Sequence, residues 1–394
     1  MPSALAGLLV ADFSRALAGP YAAMLLGDLG AEVVKIERPG GGDEVRGWGP
    51  PFVDGVSAYF LAANRNKRSV TLDLGTEAGR QAATALATRA DVLVENFRPG
   101  TMARLGLGYG ELRSANPGLV YCSISGFGFG SGAGARLPGY DFLLQAVGGL
   151  MSVTGPEGGE PTKVGVPIVD VLAALHATVA ILAALQHRER TGAGQLVEVN
   201  LLSSVLAGLV NQASSYLTAA VVPGPLGNRH PSITPYETLA AADRPLVVAV
   251  ANDRQFGALC DVLGIAGAAV DSRFATNAAR VAHRVELASV LETALASRPA
   301  AAWVAEMTAS GVPAGVVNTI AEAFALAADL GLDPVAEVAR PEGGRVRTTA
   351  SPLDLSATPV SYRRCPPRLG EHTVEVLAQL ANESDIRGER PVDP

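Results

Sequence analysis

One carboxylate in the sequence stands where an aspartate can either cap a helix or act on a substrate. Asp170 lies in the segment GVPIVDVLAAL (165–175), between a short apolar run and a stretch that is almost wholly apolar. Aspartate is among the residues preferred at helix N-caps, so the residues by themselves favour a cap here. Asp170 is therefore both a candidate cap and a candidate functional carboxylate.

A second set of residues suited to chemistry is basic and lies near the ends of predicted strands. Arg38 follows KIE, and Arg98 follows ENF in the segment ENFRPG. In an open parallel sheet, ligands bind beyond the carboxyl ends of the strands, so this set can form a phosphate-binding rim. Solvated arginines scattered over the surface explain the pattern equally well. The set comprises Lys35, Arg38, Lys67, Arg68, Arg98 and Arg104.

The common nucleotide, hydrolase and metal motifs do not occur. The glycine-rich stretch GFGFGSGAG (126–134) lacks the third glycine of GxGxxG, and neither a GxxxxGK[ST] loop nor a GxSxG elbow is present. Cys122, Cys260 and Cys365 lie far apart without CxxC spacing, and the histidines are dispersed. We therefore expect neither a metal site nor a disulfide framework.

Composition excludes several classes of protein. Hydrophobic residues make up 48% and charged residues 18%, which excludes disorder. The net charge of -7 argues against nucleic-acid or anionic-membrane partners, which need dense basic clusters. The N-terminus lacks a basic n-region, and the longest apolar run, 171–185, is interrupted and shorter than the roughly 20 residues that span a bilayer. We expect a cytoplasmic protein.

The elements that must position these residues alternate between strands and helices. Predicted strands cover 8–13, 32–39, 69–74, 91–97 and 119–128, and predicted helices cover 19–31, 76–90, about 171–190 and, near the end, 366–380. Strands separated by helices of this length indicate βαβ units and a parallel sheet with helices on both faces. A linker-like segment at 221–239, rich in proline and glycine, precedes a smaller α+β unit.

Several segments, in order along the chain, resemble the class III coenzyme A (CoA) transferases. The segments are DFSRALAGPYAAMLLGDLGAEVVKIERPGGGD (12–43), NRNKRSVTLDL (64–74), ADVLVENFRPG (90–100), GVPIVDVLAALHATVAILAALQHRERTGAGQ (165–195), GNRHPSITPYETL (227–239), GVPAGVVN (311–318) and PPRLGEHT (366–373). The resemblance runs nearly end to end, so it is specific for the family but much weaker for the substrate. The family acts on an acyl-CoA and a free carboxylic acid, and it requires no metal or redox cofactor.

The resemblance implies that Asp170 is the nucleophile. In the family, this carboxylate attacks an acyl-CoA thioester to give a mixed anhydride and then an aspartyl-CoA thioester. A helix N-terminus would keep Asp170 ionised and stabilise the oxyanions of acyl transfer. An aspartate that satisfies its own cap is, however, a poorer nucleophile.

The resemblance also implies which residues bind CoA. These positions are Arg38, Leu72, Asn96, Phe97, Met102 and Arg104, with Leu17 beside the acyl group. A planar guanidinium suits phosphate because it forms two parallel hydrogen bonds. The apolar members can equally be core residues.

Two positions separate the activities of the family. Its racemases have histidine where Tyr140 stands, and a phenol is a poor replacement for imidazole at neutral pH. Tyr140 is therefore expected to position the substrate. Formyl-CoA transferase has glutamine where Leu17 stands, and an apolar side chain disfavours oxalate and favours a larger or less polar acyl group. Epimerisation of a 2-methylacyl-CoA and acyl-CoA binding without turnover remain alternatives to CoA transfer.

Family structures imply the architecture and the assembly. We expect a Rossmann-like large domain formed by 1–220 and 330–394 and a small α+β domain at 225–325. We also expect a homodimer in which two ring-like subunits interlock.

Overall fold

A computed structural model describes residues 3–130, 132–341 and 343–388, and the chain divides into two compact units. The large unit comprises Met1–Leu150, Val164–Ala219 and Asp333–Pro394, and the small unit comprises Met151–Lys163 and Ala220–Leu332. Each unit is thus assembled from separate parts of the sequence.

The helices and strands have the following bounds. The strands are β1 (Leu9–Asp12), β2 (Glu32–Glu37), β3 (Phe52–Val53), β4 (Val56–Ser57), β5 (Lys67–Thr71), β6 (Val92–Glu95), β7 (Val120–Ser125), β8 (Leu196–Asn200), β9 (Tyr236–Ala240), β10 (Pro245–Ala249), β11 (Ala314–Val316), β12 (Val335–Ala339) and β13 (Arg345–Thr349). The α-helices are α1 (Ala18–Asp28), α2 (Ala58–Ala62), α3 (Glu77–Ala87), α4 (Thr101–Arg104), α5 (Tyr109–Ala115), α6 (Asp141–Val147), α7 (Ile168–Thr191), α8 (Leu201–Gly208), α9 (Val210–Ala219), α10 (Asp253–Val262), α11 (Ala266–Val270), α12 (Asn277–Ala282), α13 (Arg284–Leu295), α14 (Ala300–Ala309), α15 (Ile320–Asp329) and α16 (Thr373–Gly388).

The large unit is built on a six-stranded sheet in the order β5-β2-β1-β6-β7-β8. Every pairing in this sheet is parallel, which confirms the predicted parallel α/β architecture. The strand order reverses between β1 and β6, because β1 leads to β2 on one side while β6 leads to β7 on the other. Doubly wound sheets bind ligands at the carboxyl ends of the strands beside such a reversal.

Alternate strand residues enter two hydrophobic clusters, one on each face of this sheet. Val94 of β6 joins a cluster with α1 and α7, whereas Leu93 joins another with α3, α5 and α16. Small residues let α7 approach closely, since Ala173, Ala174 and Ala177 are fully buried. Parallel sheets require this cover on both faces.

Helix α7 is longer than the sequence analysis predicted. It has 24 residues, and its most apolar 18-residue window has a mean hydropathy of 2.2. By length and composition alone it could cross a membrane, so the expectation that this run is too short was wrong. Within the large unit it packs against α1, α8 and the sheet, as a core helix of a soluble domain also does.

The small unit has its own sheet and core. Strands β11, β10 and β9 form an antiparallel sheet, and α10, α13 and α14 enclose a hydrophobic cluster around Trp303. Arg280 is fully buried there, and its guanidinium donates to Thr234 O at 2.7 Å and to Asp253 Oδ1 at 2.8 Å. Hydrogen bonds of this kind are needed because a buried charge is costly when unpaired.

Two predicted boundaries were wrong for identifiable reasons. Strand β5 begins at Lys67 instead of residue 69, because the charged residues Lys67 and Arg68 are buried against carboxylates inside the sheet. Helix α16 begins at Thr373 instead of residue 366, because Gly370 has φ +69°, a left-handed conformation that a right-handed helix cannot contain. Burial and a left-handed glycine thus overrode the hydropathy pattern.

Candidate functional site

Two cavities of the large unit open where the strand order reverses. The lining of the first, which we call the Asp170 cavity, includes Leu17, Glu44, Asn96, Arg98, Ile124, Leu137, Tyr140 and Asp170. The lining of the second, the Arg38 cavity, includes Arg38, Gly42, Leu72 and Asp73. Arg15 and Phe97 line both cavities. The two cavities therefore adjoin at these two side chains.

Hydrogen bonds of Asn96 connect the loop after β6 to the loop after β1. Its Oδ1 accepts a hydrogen bond from Arg15 N at 2.8 Å, and its Nδ2 donates to Arg15 O at 2.7 Å. The Arg15 guanidinium lies 5.0 Å from the centroid of the Phe97 ring, where a cation and an aromatic face attract each other. Arg15, Asn96 and Phe97 thus form the wall between the two cavities.

Asp141, and not Asp170, caps helix α7. The helix begins at Ile168, so Asp170 lies in its first turn and the expectation of an Asp170 cap was wrong. Asp141 Oδ1 accepts hydrogen bonds from Val169 N at 2.8 Å and from Asp170 N at 3.4 Å. Within the described parts of the chain, no donor reaches the Asp170 carboxylate. The tension between capping and nucleophilic attack is thereby removed.

Gln145 in turn holds Asp141 in place. Its Nε2 donates to Asp141 Oδ2 at 2.7 Å, and its Oε1 accepts from Val164 N at 2.8 Å. Gln145 is fully buried, so these bonds are made away from water. The segment that leads into α7 is therefore anchored to α6.

The charge state of Asp170 differs from the expectation. Burial and, to a lesser extent, the neighbouring Asp141 charge together raise the pKa of Asp170 to about 7. A helix N-terminus contributes at most about 2 kcal/mol at a partly buried site, and burial together with the Asp141 charge opposes it. Near neutral pH, Asp170 is a partly ionised and unusually basic carboxylate.

Two tyrosines lie near this carboxylate. Tyr140 is 61% exposed and precedes α6, so its phenol is accessible from the Asp170 cavity. Burial, together with smaller effects of the Asp170 and Asp141 charges, raises the pKa of Tyr59 to about 12. Tyr59 is thus a neutral hydrogen-bond donor within electrostatic reach of Asp170.

Sequence reasoning missed three residues of the site. Asp141 follows Tyr140 directly before an apolar helix, and this cap signal could have identified it. Arg15 follows the first strand, which is also where a ligand residue is expected. Nothing in the sequence distinguishes Tyr59, because it reaches the site only through the tertiary fold.

The Arg38 cavity contains several of the expected CoA-binding residues. Arg38 is exposed and lies against Gly41, where a Cβ atom would be 3.0 Å from the guanidinium. Leu72 is buried at 7% exposure and still lines the cavity, so it serves both the core and the site. Asn96 lines only the Asp170 cavity, while Phe97 lines both.

Met102 and Arg104 lie outside both cavities. Met102 is 4% exposed and belongs to the hydrophobic cluster that contains Leu93. Arg104 is exposed, and its Nη2 donates to Thr101 Oγ1 at 3.1 Å. The core-packing interpretation therefore describes Met102, and Arg104 is not brought to the other candidates.

Two lysines of the predicted phosphate rim are fully buried instead. Lys67 Nζ lies 2.9 Å from Asp12 Oδ2, and Lys35 Nζ lies 2.9 Å from Asp43 Oδ2. Burial lowers the pKa of Lys67 to about 8 although Asp12 opposes this. One ion pair joins β5 to β1 and the other joins β2 to the segment that follows it, so the two lysines are not available to a ligand.

Metal ligands are not concentrated at this site. In the ranges that the structure describes, no three His, Cys, Asp or Glu side chains cluster as a metal site would require. The chemistry available is that of carboxylates, guanidinium groups and tyrosine.

Comparison with known proteins identifies the family. Residues 5–373 match the model of CoA-transferase family III, and the chain belongs to that family. It is an enzyme that transfers CoA between an acyl-CoA thioester and a free carboxylic acid.

Three relatives illustrate the similarity. The chain is 43% identical to the succinate–glutarate CoA-transferase of Agrobacterium fabrum, over 95% of each chain. It is 42% identical to the acetyl-CoA:oxalate CoA-transferase of Acetobacter aceti, over 80% of this chain and 81% of that one. A CaiB/BaiF family protein from Brucella suis has a similar structure, with a TM-score of 0.87, 42% identity, and coverage of 96% of this chain and 100% of that one.

Proposed function

We propose that Asp170 is the nucleophile and that the acyl-CoA lies across both cavities, with its thioester in the Asp170 cavity. The observation that carries this proposal is the cavity-lining carboxylate of Asp170, which no donor occupies within the described chain. Arg38 and Leu72 would receive the nucleotide end in the adjoining cavity, because a guanidinium binds phosphate well and an apolar side chain can contact the base.

Each half of the reaction is an exchange at a carbonyl carbon. Asp170 attacks the thioester, the C–S bond breaks, and a mixed anhydride and CoA thiolate form. The thiolate attacks the Asp170 carbonyl of the anhydride, which releases the first acid and leaves an aspartyl-CoA thioester. An incoming carboxylate then reverses both steps, and Asp170 regains its carboxylate when the new acyl-CoA leaves. Tyr140, which lines the Asp170 cavity, can donate a hydrogen bond to the oxyanions.

We further propose that the acid is a short aliphatic dicarboxylate. The name of the Agrobacterium fabrum relative contains two such acids, succinate and glutarate. Leu17, Ile124 and Leu137 supply apolar surface for methylene groups in the Asp170 cavity. The guanidinium of Arg98 lines the same cavity and makes no ion pair with the described residues, so it is available to the second carboxylate. Oxalate, which has no methylene group, would fit this lining less well.

The decisive experiment follows CoA exchange by mass spectrometry. With succinyl-CoA as donor, glutarate should exceed butyrate as acceptor by about tenfold or more, the usual contribution of one charged hydrogen bond. Arg98→Gln should remove most of that preference. Asp170→Ala should lower exchange by about a thousandfold or more, and hydroxylamine should mark the Asp170 peptide of the wild type only.

Asp329→Asn, on the exposed end of α15, is the matched control and should exchange at the wild-type rate. Equal exchange by Asp170→Ala and the wild type would exclude the nucleophile. Solvent deuterium at the α-carbon of a 2-methylacyl-CoA, without an acceptor acid, would instead indicate epimerisation. CoA-ester binding without any exchange would indicate a binding protein.

We also propose the assembly and the setting in which the enzyme works. Helix α9 buries none of its residues, and Leu175 and Val179 of α7 are 44% and 67% exposed. Apolar surface of this kind supports an interlocked homodimer. We propose that the large unit, corresponding to the expected 1–220 and 330–394, is the Rossmann-like CoA-binding domain. We propose a cytoplasmic enzyme that works without metal, nucleic-acid or membrane partners.

A further inference from the structure

A buried carboxylate lies directly behind the wall between the two cavities. Glu95, the last residue of β6, is 6% exposed and lines neither cavity. Its Oε2 accepts a hydrogen bond from Phe97 N at 2.8 Å, and its Oε1 accepts one from the hydroxyl of Ser123, its neighbour in register on β7. Glu95 forms no ion pair with any residue of the described chain.

The surroundings of Glu95 make it the group there that changes charge near neutral pH. Burial raises the pKa of Glu95 to about 7, and its two hydrogen bonds offset this only in part. Burial and the Glu95 charge also raise the pKa of Tyr121 and of Cys122 on β7, so both stay neutral. On α5, Glu111 acts on Tyr121, and Phe13, which follows β1, is an apolar member of the cluster that contains Tyr121.

Phe97 connects Glu95 to both cavities. Phe97 lines both of them, and its ring faces the Arg15 guanidinium. Asn96 accepts a hydrogen bond from the backbone N–H of Arg15 and donates one to its backbone carbonyl. The backbone N–H that Glu95 holds belongs to Phe97 itself. Glu95 thus supports the whole wall from behind without touching a ligand.

We propose that Glu95 is a positioning residue whose ionised form holds the Asn96–Phe97 turn in place for CoA, so that protonation of Glu95 weakens CoA binding. This inference rests on the proposed binding of the CoA ester in the two cavities. A hydrogen bond to a carboxylate is about twice as strong as one to a neutral carbonyl. Protonated at Oε1, Glu95 would donate to Ser123 and offer Phe97 N only the neutral oxygen.

The test measures the affinity for CoA as a function of pH in the Asp170→Ala background, where the nucleophile no longer titrates. Isothermal titration with CoA between pH 6 and 8.5 should show affinity rising about fivefold with a midpoint near pH 7, the value for Glu95. Adding Glu95→Gln should give a weaker affinity without this transition. Adding Ser123→Ala should move the midpoint upward, because the serine hydroxyl stabilises the ionised form.

The outcomes separate this inference from the proposed function. The role of Glu95 would be overturned if the Glu95→Gln variant showed the same pH transition in CoA affinity. It would also be overturned if the affinity of the Asp170→Ala protein did not change with pH, or fell as pH rises. Failure of CoA to bind at any pH would instead contradict the use of the cavities. If Glu95→Gln does not fold, as judged by thermal unfolding, the direction of the Ser123→Ala midpoint decides.

Discussion

At the scale of single residues, the sequence offers Asp170 both as a helix cap and as a functional carboxylate, whereas in the structure Asp141 is the cap. Asp141 accepts the N–H groups at the start of α7 and places a fixed negative charge beside Asp170. Asp170 is left with a free carboxylate whose pKa burial and this charge raise to about 7. A carboxylate of higher pKa binds a proton and, by the same basicity, an acyl carbon more strongly.

Asp141→Asn is expected to shift the pH dependence of the enzyme to lower pH. Only ionised Asp170 can attack, so kcat at saturating acyl-CoA rises with pH up to about 7 and levels off above it. Asparagine still accepts the bonds from Val169 and Asp170 through Oδ1 but carries no charge, so the pKa of Asp170 falls. Because burial is the larger cause of the raised pKa, the shift should be partial. A series of rate measurements from pH 5 to 9 checks this.

Glu44→Gln is the matched control for this charge removal. Glu44 lines the same cavity but does not contribute to the raised pKa of Asp170, so its neutralisation should leave the rising limb in place. If the rate of Asp141→Asn rises with pH over the same range as the rate of the wild type, burial alone sets the pKa of Asp170.

At the scale of elements, the turn after β2 requires glycine at position 42, where it lines the Arg38 cavity. Gly42 has φ +63°, and a Cβ atom there would lie 2.8 Å from Glu37 Oε2. The Glu37 carboxylate cannot move away easily, because Arg46 binds both of its oxygens at 2.7 Å. The backbone of Gly42 can therefore line the cavity only without a side chain.

Substituting two glycines of this turn should separate backbone strain from lack of space. Gly40 has φ +78°, but no other atom lies within 4 Å of the position that a Cβ atom would take, so Gly40→Ala should cost about 1 kcal/mol of the free energy of unfolding. Gly42→Ala should cost at least about 2 kcal/mol and raise KM for the acyl-CoA. Urea denaturation of both variants gives the comparison, and equal losses would show that space at Gly42 is not limiting.

At the scale of the whole molecule, apolar surface remains that the chain does not cover. Leu175 and Val179 lie four residues apart on α7, so they share one exposed face of the helix that carries Asp170. None of the residues of α9 is fully buried, and an isolated helix of its length is marginal in water. A second copy of the chain would cover such surface.

Val179→Arg is expected to prevent the chains from assembling as they fold, so that light scattering coupled to size exclusion gives the monomer mass, since a charge in an apolar interface is costly. Val285 on α13 of the small unit is comparably exposed, at 64% against 67% for Val179. Val285→Arg should therefore leave the mass unchanged. A dimer that survives Val179→Arg, or a wild-type chain that is monomeric, would contradict the proposed interface.

The sequence predicted the site residues that follow strands, but it did not predict which candidates are buried. Arg38, Asn96 and Phe97 follow strands of a parallel sheet, and the strand rule by itself brings such residues to one edge. Lys67, the first residue of β5, and Met102, in α4, were also candidates, yet both are buried. Burial depends on which face of an element meets the core, and the pattern of a short charged or mixed segment does not determine that face.

The sequence by itself determined the parallel α/β architecture and the family of CoA-transferases, because local periodicity and a series of motifs in fixed order are properties of the chain alone. Only the tertiary structure decided that Asp141 caps α7, that Asp170 is therefore free, and that Tyr59 and Glu95 lie near the cavities. Capping partners and desolvation arise between residues far apart in sequence. For that reason the chemistry of Asp170 became clear only when its neighbours were known.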